Sequence, residues 1–328
     1  IDDSILRRKL ILKGGPGVGK STFMRRVHAA LCPENEAATL YFCSGDPDSL
    51  DGVAVPHAGL LILDGTAPHI VDPEIPGARD SIINLGEGLD EPAMRPRLPH
   101  IRACMSDHAA CSRRARACLA AAAALAQENA AMLQAAMDEE RLFQMTRALI
   151  QAVLANDAPK TAAPRVRPII TDAVTPKGEI SLIAENAQPR VIRLLFHGGM
   201  DGTPVLRQVS AAARAAGYSV EEHLCPTVPG RLLHVTIPAL ATLVTTSEQL
   251  SAEQTFDFAA CIPQGALLRH ECALEQGRAG IQLHLHRACA ALAQAKQLHD
   301  ELESFYVPNM DFAKWQTMLD RTLESLKS

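Results

Sequence analysis

Nine residues near the start of the chain, Gly14 to Thr22, read Gly-Gly-Pro-Gly-Val-Gly-Lys-Ser-Thr. Written as spacing this is G-x-x-x-x-G-K-[ST], a pattern whose parts suit one task, the holding of a phosphate chain. Glycines at 14, 15, 17 and 19 let the main chain turn where a side chain would obstruct, so that N–H groups from Gly14 to Gly19, Val18 included, converge on an anion. A helix expected from Lys20 points its positive end at the same place. Lys20 would neutralise the β and γ phosphates and the Ser21 hydroxyl would ligate Mg²⁺, with Thr22 beside it. ATP and Mg²⁺ are therefore the expected ligands.

Such a loop calls for a carboxylate on a neighbouring strand to hold the metal or a metal-bound water, and Asp64 closes the apolar run Leu60 to Asp64. Its alternative is a turn aspartate before Gly65. Asp46, Asp48 and Asp51 lie in "CSGDPDSLDG" and are candidates to position an attacking water or a substrate, although the same residues also make ordinary turns and helix caps. His69, in "TAPHIVDP", is a candidate proton carrier near the γ-phosphate, or else a hydrogen-bonded loop histidine. Arg113, Arg114 and Arg116 offer an arginine finger or an exposed basic helical face. Cys104, Cys111 and Cys118 are spaced seven apart, about 10 Å along a helix, too far to share one ion, and read as packing. Met132, Met137 and Met145 read the same way, and His284 and His286 lack the helical spacing of zinc ligands.

The elements that position these residues follow from periodicity. "KLILK" reads as a buried strand, "TLYFC" (39–43) and "LLILD" (60–64) as a second and a third strand and 20–31 as a helix, an alternation that predicts a parallel sheet flanked by helices. Residues 65–99 are proline-rich and read as a long irregular segment. From 100 to 156 the chain is Ala-rich with helical spacing, breaking near Asp138, which predicts two helices. "RPIITDAV" reads as a strand, and 175–189 as a connection. The second half repeats the pattern: strands 191–196, 219–224 and 242–246, a helix over 203–216, then helices over 266–305 and 309–327.

The second half also repeats the first residue by residue. At a constant offset of 182, Cys43 aligns with Cys225, Pro47 with Pro229, Pro56 with Pro238 and Leu61 with Leu243. The counterpart of the glycine loop is "RLLFHGGMDGTPVLRQV", which reads as two residues short, with Gly-Lys-Ser-Thr become Gly-Thr-Pro. Asp64 faces Thr246, and Asp46, Asp48 and Asp51 face Val228, Gly230 and Leu233. The copy is thus expected to be hydrolytically inactive, with at most weak anion binding at Gly198 and Gly199, and Cys43 is a packing residue. The expected fold is α/β: tandem duplicated P-loop NTPase-type αβα domains of three layers with mainly parallel sheets, the second copy degenerate, plus long Ala-rich helices. The division expected is 1–175, a nucleotide-binding domain with a helical extension, and 176–328, the degenerate repeat with the C-terminal helices.

Three stretches, "LKGGPGVGKSTFMRR", "CSGDPDSLDGVAVP" and "LDGTAPHIVDPEIPGARDSIINLG", resemble an uncharacterised family of bacterial tandem P-loop proteins described as ATPases. The resemblance covers most of the chain and implies that Asp64, His69 and Asp72 lie around the nucleotide site. The family often keeps a recognisable second P-loop, and this chain departs from it there.

The bulk properties exclude rather than specify. The 328 residues suit about two domains, and a net charge of −5 gives no global reason to expect nucleic acid or an anionic membrane as partner. The chain contains no apolar run long enough to span a bilayer, and its start lacks the layout of a signal peptide. The nine scattered cysteines suit reduced thiols, so a cytoplasmic location and no structural metal are expected. The chain begins at Ile1 without Met, so its true start is expected upstream. Three functions stay open: an Mg²⁺-dependent ATPase working with a protein or small-molecule partner, a kinase for a nucleotide or small metabolite, and a nucleotide-gated interaction module. With no N-K-x-D sequence present, guanine is the less expected base.

Overall fold

The computed structural model describes residues 5–33, 37–67 and 70–327. The first elements in chain order are β1 (Arg8–Lys13), α1 (Lys20–Leu31), β2 (Thr39–Phe42), β3 (Leu50–Val55), β4 (Leu60–Asp64) and β5 (Asp80–Asn84). Three helices follow, α2 (Glu91–Met94), α3 (Leu98–Gln134) and α4 (Glu139–Val153). Next come β6 (Val166–Ile169), β7 (Asp172–Thr175), β8 (Gly178–Ser181), β9 (Arg190–Leu195), α5 (Thr203–Ala215), β10 (Val220–Leu224) and β11 (Leu232–Ile237). β12 (Thr242–Thr245), β13 (Gln254–Asp257), α6 (Gln264–Tyr306) and α7 (Phe312–Lys327) complete the chain. Among the described residues no helix is long and apolar enough to cross a membrane.

The chain divides into two compact units, Ile1–Arg113 with Ala291–Ser328, and Arg114–Ala290. This differs from a single cut near 175, and packing explains why. The α7 residues Trp315 and Leu319 join Phe23, Met24 and Val27 of α1 in one core, so the end of the chain belongs with its beginning. The α4 residues Leu149 and Val153 enter the core of the second unit instead.

In unit 1 the sheet order is β2-β3-β4-β1-β5. β1, buried at Leu10, Ile11 and Leu12, lies between β4 and β5 and runs parallel to both, as suits a strand covered on both faces. β2 and β3 pair antiparallel, as do β3 and β4, so the sheet is mixed rather than mainly parallel. The connection from β3 to β4 is a tight turn in which Gly59, at φ 60°, donates its N–H to Pro56 at 3.0 Å. So short a link joins antiparallel neighbours; a parallel crossover needs a dozen or more residues.

β3 and β5 were absent from the sequence expectation. β3 carries Asp51 and Gly52, and β5 is a five-residue strand inside the segment expected to be irregular. That segment is ordered by Asp80, which is buried and accepts the N–H groups of Glu74 at 2.7 Å and Ile75 at 3.0 Å while pairing with Arg79 at 2.7 Å. The helical break near Asp138 is present: its carboxylate caps α4 by accepting from Arg141 N at 3.0 Å.

Unit 2 has the sheet order β13-β9-β12-β11-β10-β6, and β7 and β8 form a separate hairpin. Here too the sheet is mixed, because β10, β11 and β12 pair antiparallel while β9 is parallel to β12 and β13. Setting β6 aside, the order and directions repeat those of unit 1. The register repeats as well: Arg8 faces Leu60, and Arg190 faces Thr242, each residue 182 positions after its counterpart. Even the irregularity between Tyr41 and Phe42 recurs between His223 and Leu224. Unit 2 holds a buried polar layer, in which His223 contacts the hydroxyls of Thr171 at 3.1 Å and Thr236 at 2.9 Å, and His234 contacts that of Thr245 at 2.7 Å.

Candidate functional site

The glycine loop joins the central strand β1 to α1. Gly17 and Gly19 hold φ values of 68° and 84°, a region that only glycine enters at little cost. Val18, buried, anchors the loop in the core. α1 starts without a side-chain cap and without an acidic residue in its first turn, so its first N–H groups and its positive end are left for an anion.

The parallel register sets Asp64, at the end of β4, beside Leu12 of β1. Its carboxylate lies 3.6 Å from Lys20 Nζ and accepts the N–H of Thr66 at 2.8 Å. Lys20 Nζ also donates to the carbonyls of Gly14 at 3.1 Å and Gly15 at 2.9 Å. The Ser21 hydroxyl oxygen accepts from Leu50 N at 3.0 Å, which ties α1 to the start of β3, while Thr22 is exposed in the first turn. Lys20, Ser21 and Asp64 are thus brought to one end of the sheet around the glycine loop.

The acidic residues at 46, 48 and 51 lie in or just beyond the loop between β2 and β3. Asp46 accepts from the Ser49 hydroxyl at 2.9 Å and pairs with Lys296 at 3.4 Å. Asp48 offers its main-chain carbonyl to Arg25 at 2.6 Å, bracing the loop against α1. Burial and then the neighbouring Asp51 push the Cys43 thiol up to about 11, so it is an inert packing group. Asp72 is exposed and lies 3.4 Å from Lys13, whose ammonium also donates to the Gly65 and Val71 carbonyls at 2.8 Å. His69 lies outside the described residues. Arg113, Arg114 and Arg116 are exposed on α3, Cys104 and Cys111 are buried, and Met137 and Met145 pack against the second core.

Sequence reasoning missed the residues that face the loop from the end of the chain. A Cβ on Gly15 would stand 2.4 Å from the Tyr306 ring, one on Gly17 2.7 Å from Val307, and one on Gly19 3.0 Å from Trp315 Nε1. Glu303 lies against Gly17, its Cβ 3.3 Å from where a Gly17 Cβ would stand. A hydrogen bond from His299 is the main cause, with Gly17 adding to it, that holds the Glu303 carboxyl below the usual carboxylate range against partial burial. Trp315 meets Phe23 edge-on at 5.8 Å and lies under the Arg26 guanidinium at 5.4 Å. The only sequence signal for this was the apolar spacing of α7, and spacing does not say what a helix packs against.

The loop between β9 and α5 corrects two expectations. It is not two residues short, because the offset of 182 holds in the strand register on both of its sides. Aligning the Gly-Gly pairs suggested a gap where there is none. In the ungapped register Thr203 stands where Ser21 does, so the hydroxyl is kept: Thr203 Oγ1 accepts from Leu232 N at 2.9 Å. Arg207 likewise donates to the Gly230 carbonyl at 3.0 Å, as Arg25 does to Asp48. Gly202 stands at the position of Lys20 and Asp201 at that of Gly19. The Asp201 carboxylate accepts the Thr203 N–H at 2.9 Å and lies 3.5 Å from Arg231, so this helix start already holds an anion.

These features define an α/β protein with mixed sheets, whose first unit carries a glycine-rich loop at an uncapped helix start beside a lysine, a hydroxyl and a carboxylate. Comparison with protein-family models, curated proteins and solved structures finds no match in any of the three.

Proposed function

We propose that the chain is an Mg²⁺-dependent ATP-binding protein that hydrolyses the β-γ phosphoanhydride at the loop of unit 1. The single observation that carries this reading is the convergence of Lys20, Ser21 and Asp64 on a glycine loop whose helix start has no cap of its own. In this reading the loop N–H groups take the phosphates, and Lys20 leaves the Gly14 and Gly15 carbonyls to neutralise charge on the β and γ oxygens. Ser21 Oγ and the Asp64 carboxylate are hard oxygen donors of the kind Mg²⁺ takes, and the ion when bound would supply further charge neutralisation there. The β2–β3 loop, braced by Arg25, holds its acids near the site to orient the attacking water.

The repeated strand order and register support reading the two units as tandem copies of one P-loop-type unit with helices on both sheet faces. The second is inactive because Gly202 replaces the lysine and Asp201 places a carboxylate where phosphate would sit. A cytoplasmic protein working with an unidentified partner, and membership of the tandem P-loop family, belong to the same reading. The nucleotide-gated module is favoured as a second reading by the C-terminal residues packed over the loop. Phosphate release from Mg-ATP by the chain and by Lys20→Ala, with calorimetric binding to both, tests the proposal. Lys20-dependent release is expected; binding without release overturns hydrolysis and leaves a kinase awaiting its acceptor or the gated module.

A further inference from the structure

The loop of unit 1 is occupied by its own chain. Lys20 Nζ, the charge meant for phosphate, is engaged by two loop carbonyls and lies 3.6 Å from Asp64. Glu303 lies over Gly17, its Cβ and Cα 3.3 and 3.4 Å from where a Gly17 Cβ would stand. Tyr306 and Val307 lie against Gly15 and Gly17 so closely that a single added carbon would overlap them. A phosphate chain bound at this loop would meet the segment packed on it, and it would be an anion brought beside the Glu303 carboxylate. The two cannot be held together.

Resting on the nucleotide-binding reading above, we propose that the segment from Glu303 to Val307 is a built-in competitor for nucleotide, packed on the glycine loop with the Glu303 carboxylate as the competing anion until Mg-ATP displaces it. The contrast with unit 2 bears on this. There the carboxylate is Asp201, within the loop itself and paired with Arg231, so it stays with the loop whatever the later helix does. In unit 1 the carboxylate comes from a helix far along the chain and is more than a third exposed, so it is able to swing out. Release would loosen the contacts of the following turn with the loop and alter the surroundings of Trp315, which lies against Gly19 with its indole N–H unpartnered. Nucleotide occupancy would thereby be read out at the C-terminal helix α7.

Trp315 is the single tryptophan of the chain, so the full-length protein reports on itself. Calorimetric titration with Mg-ATP, paired with tryptophan emission, is made on the unaltered chain, Glu303→Gln and Tyr306→Ala. The second variant opens the space over Gly15 without changing charge, and melting curves establish that each is folded. Because a site closed most of the time binds with an affinity reduced by its open fraction, either variant is expected to bind about tenfold more tightly or better. Trp315 emission is expected to change with the same midpoint as the heat. Equal affinity in all three, with emission unmoved, overturns the competitor and leaves the nucleotide site standing. If none of the three binds Mg-ATP, the nucleotide reading falls and the competitor with it.

Discussion

Ser21 and Thr203 hold the same post in two separate units. Each hydroxyl oxygen accepts the N–H of the first residue of a strand, Leu50 at 3.0 Å and Leu232 at 2.9 Å. A hydroxyl retained without the lysine serves the fold, tying the start of a helix to the neighbouring strand. In unit 1 the same group has a second duty in the proposed metal site, and substitution separates the two.

Thr203→Ala leaves the buried Leu232 N–H without an acceptor, which costs about 1–3 kcal/mol in urea unfolding, and Mg-ATP binding by calorimetry stays unchanged. Ser21→Ala loses a comparable hydrogen bond and also weakens Mg-ATP binding. Equal effects of the two variants on binding would refute a special role for Ser21.

Lys20→Ala removes the cation at the helix start and is expected to reduce phosphate release to background while the urea midpoint moves little, since the lysine now serves only loop carbonyls and Asp64. Asp64→Asn keeps the side-chain acceptor for Thr66 and removes the charge. It should lower the turnover rate about tenfold or more by weakening metal binding.

Trp315 is buried against Phe23 and Gly19, so Trp315→Ala opens a cavity in the core of unit 1 and costs about 3–5 kcal/mol. Trp315→Phe should cost clearly less, because the indole N–H has no partner to lose. Thermal melts of both variants, compared at the same pH, check the order.

His223 is fully buried and burial, then the neighbouring His234, push it down to about 3. Unfolded, it titrates near 6.5, so between those values the unfolded chain binds the extra proton and stability falls as pH is lowered. Melting temperature should therefore drop from pH 7 toward pH 4, and His223→Gln should flatten that slope. An unchanged slope in the variant would assign the acid sensitivity elsewhere.

The glycine loop, the helix after it and the strand that ends in Asp64 were legible because each depends on residues within one short stretch: φ-permissive glycines, an apolar run, a lysine at a helix start. The alpha-helical break at Asp138 was legible for the same reason, since a cap acts on the turn beside it. β3 and β5 were not, because Asp51 and Gly52 weaken one as a local signal and prolines surround the other. Both exist through pairing with β4 and β1.

The chain by itself therefore determined which residues are on offer and where they begin: a glycine-rich loop with a lysine and two hydroxyls at Gly14 to Thr22, a carboxylate at Asp64, and a second half repeating the first without the lysine. Only the tertiary structure decided strand direction, the true register of the second loop, and the return of Glu303, Tyr306 and Trp315 to the first loop across some three hundred residues of sequence. The physical reason is range. Propensity, capping and periodicity act over a turn or two, whereas a contact between distant residues is settled by which buried surfaces fit together, and that fit is written in no single stretch of the chain.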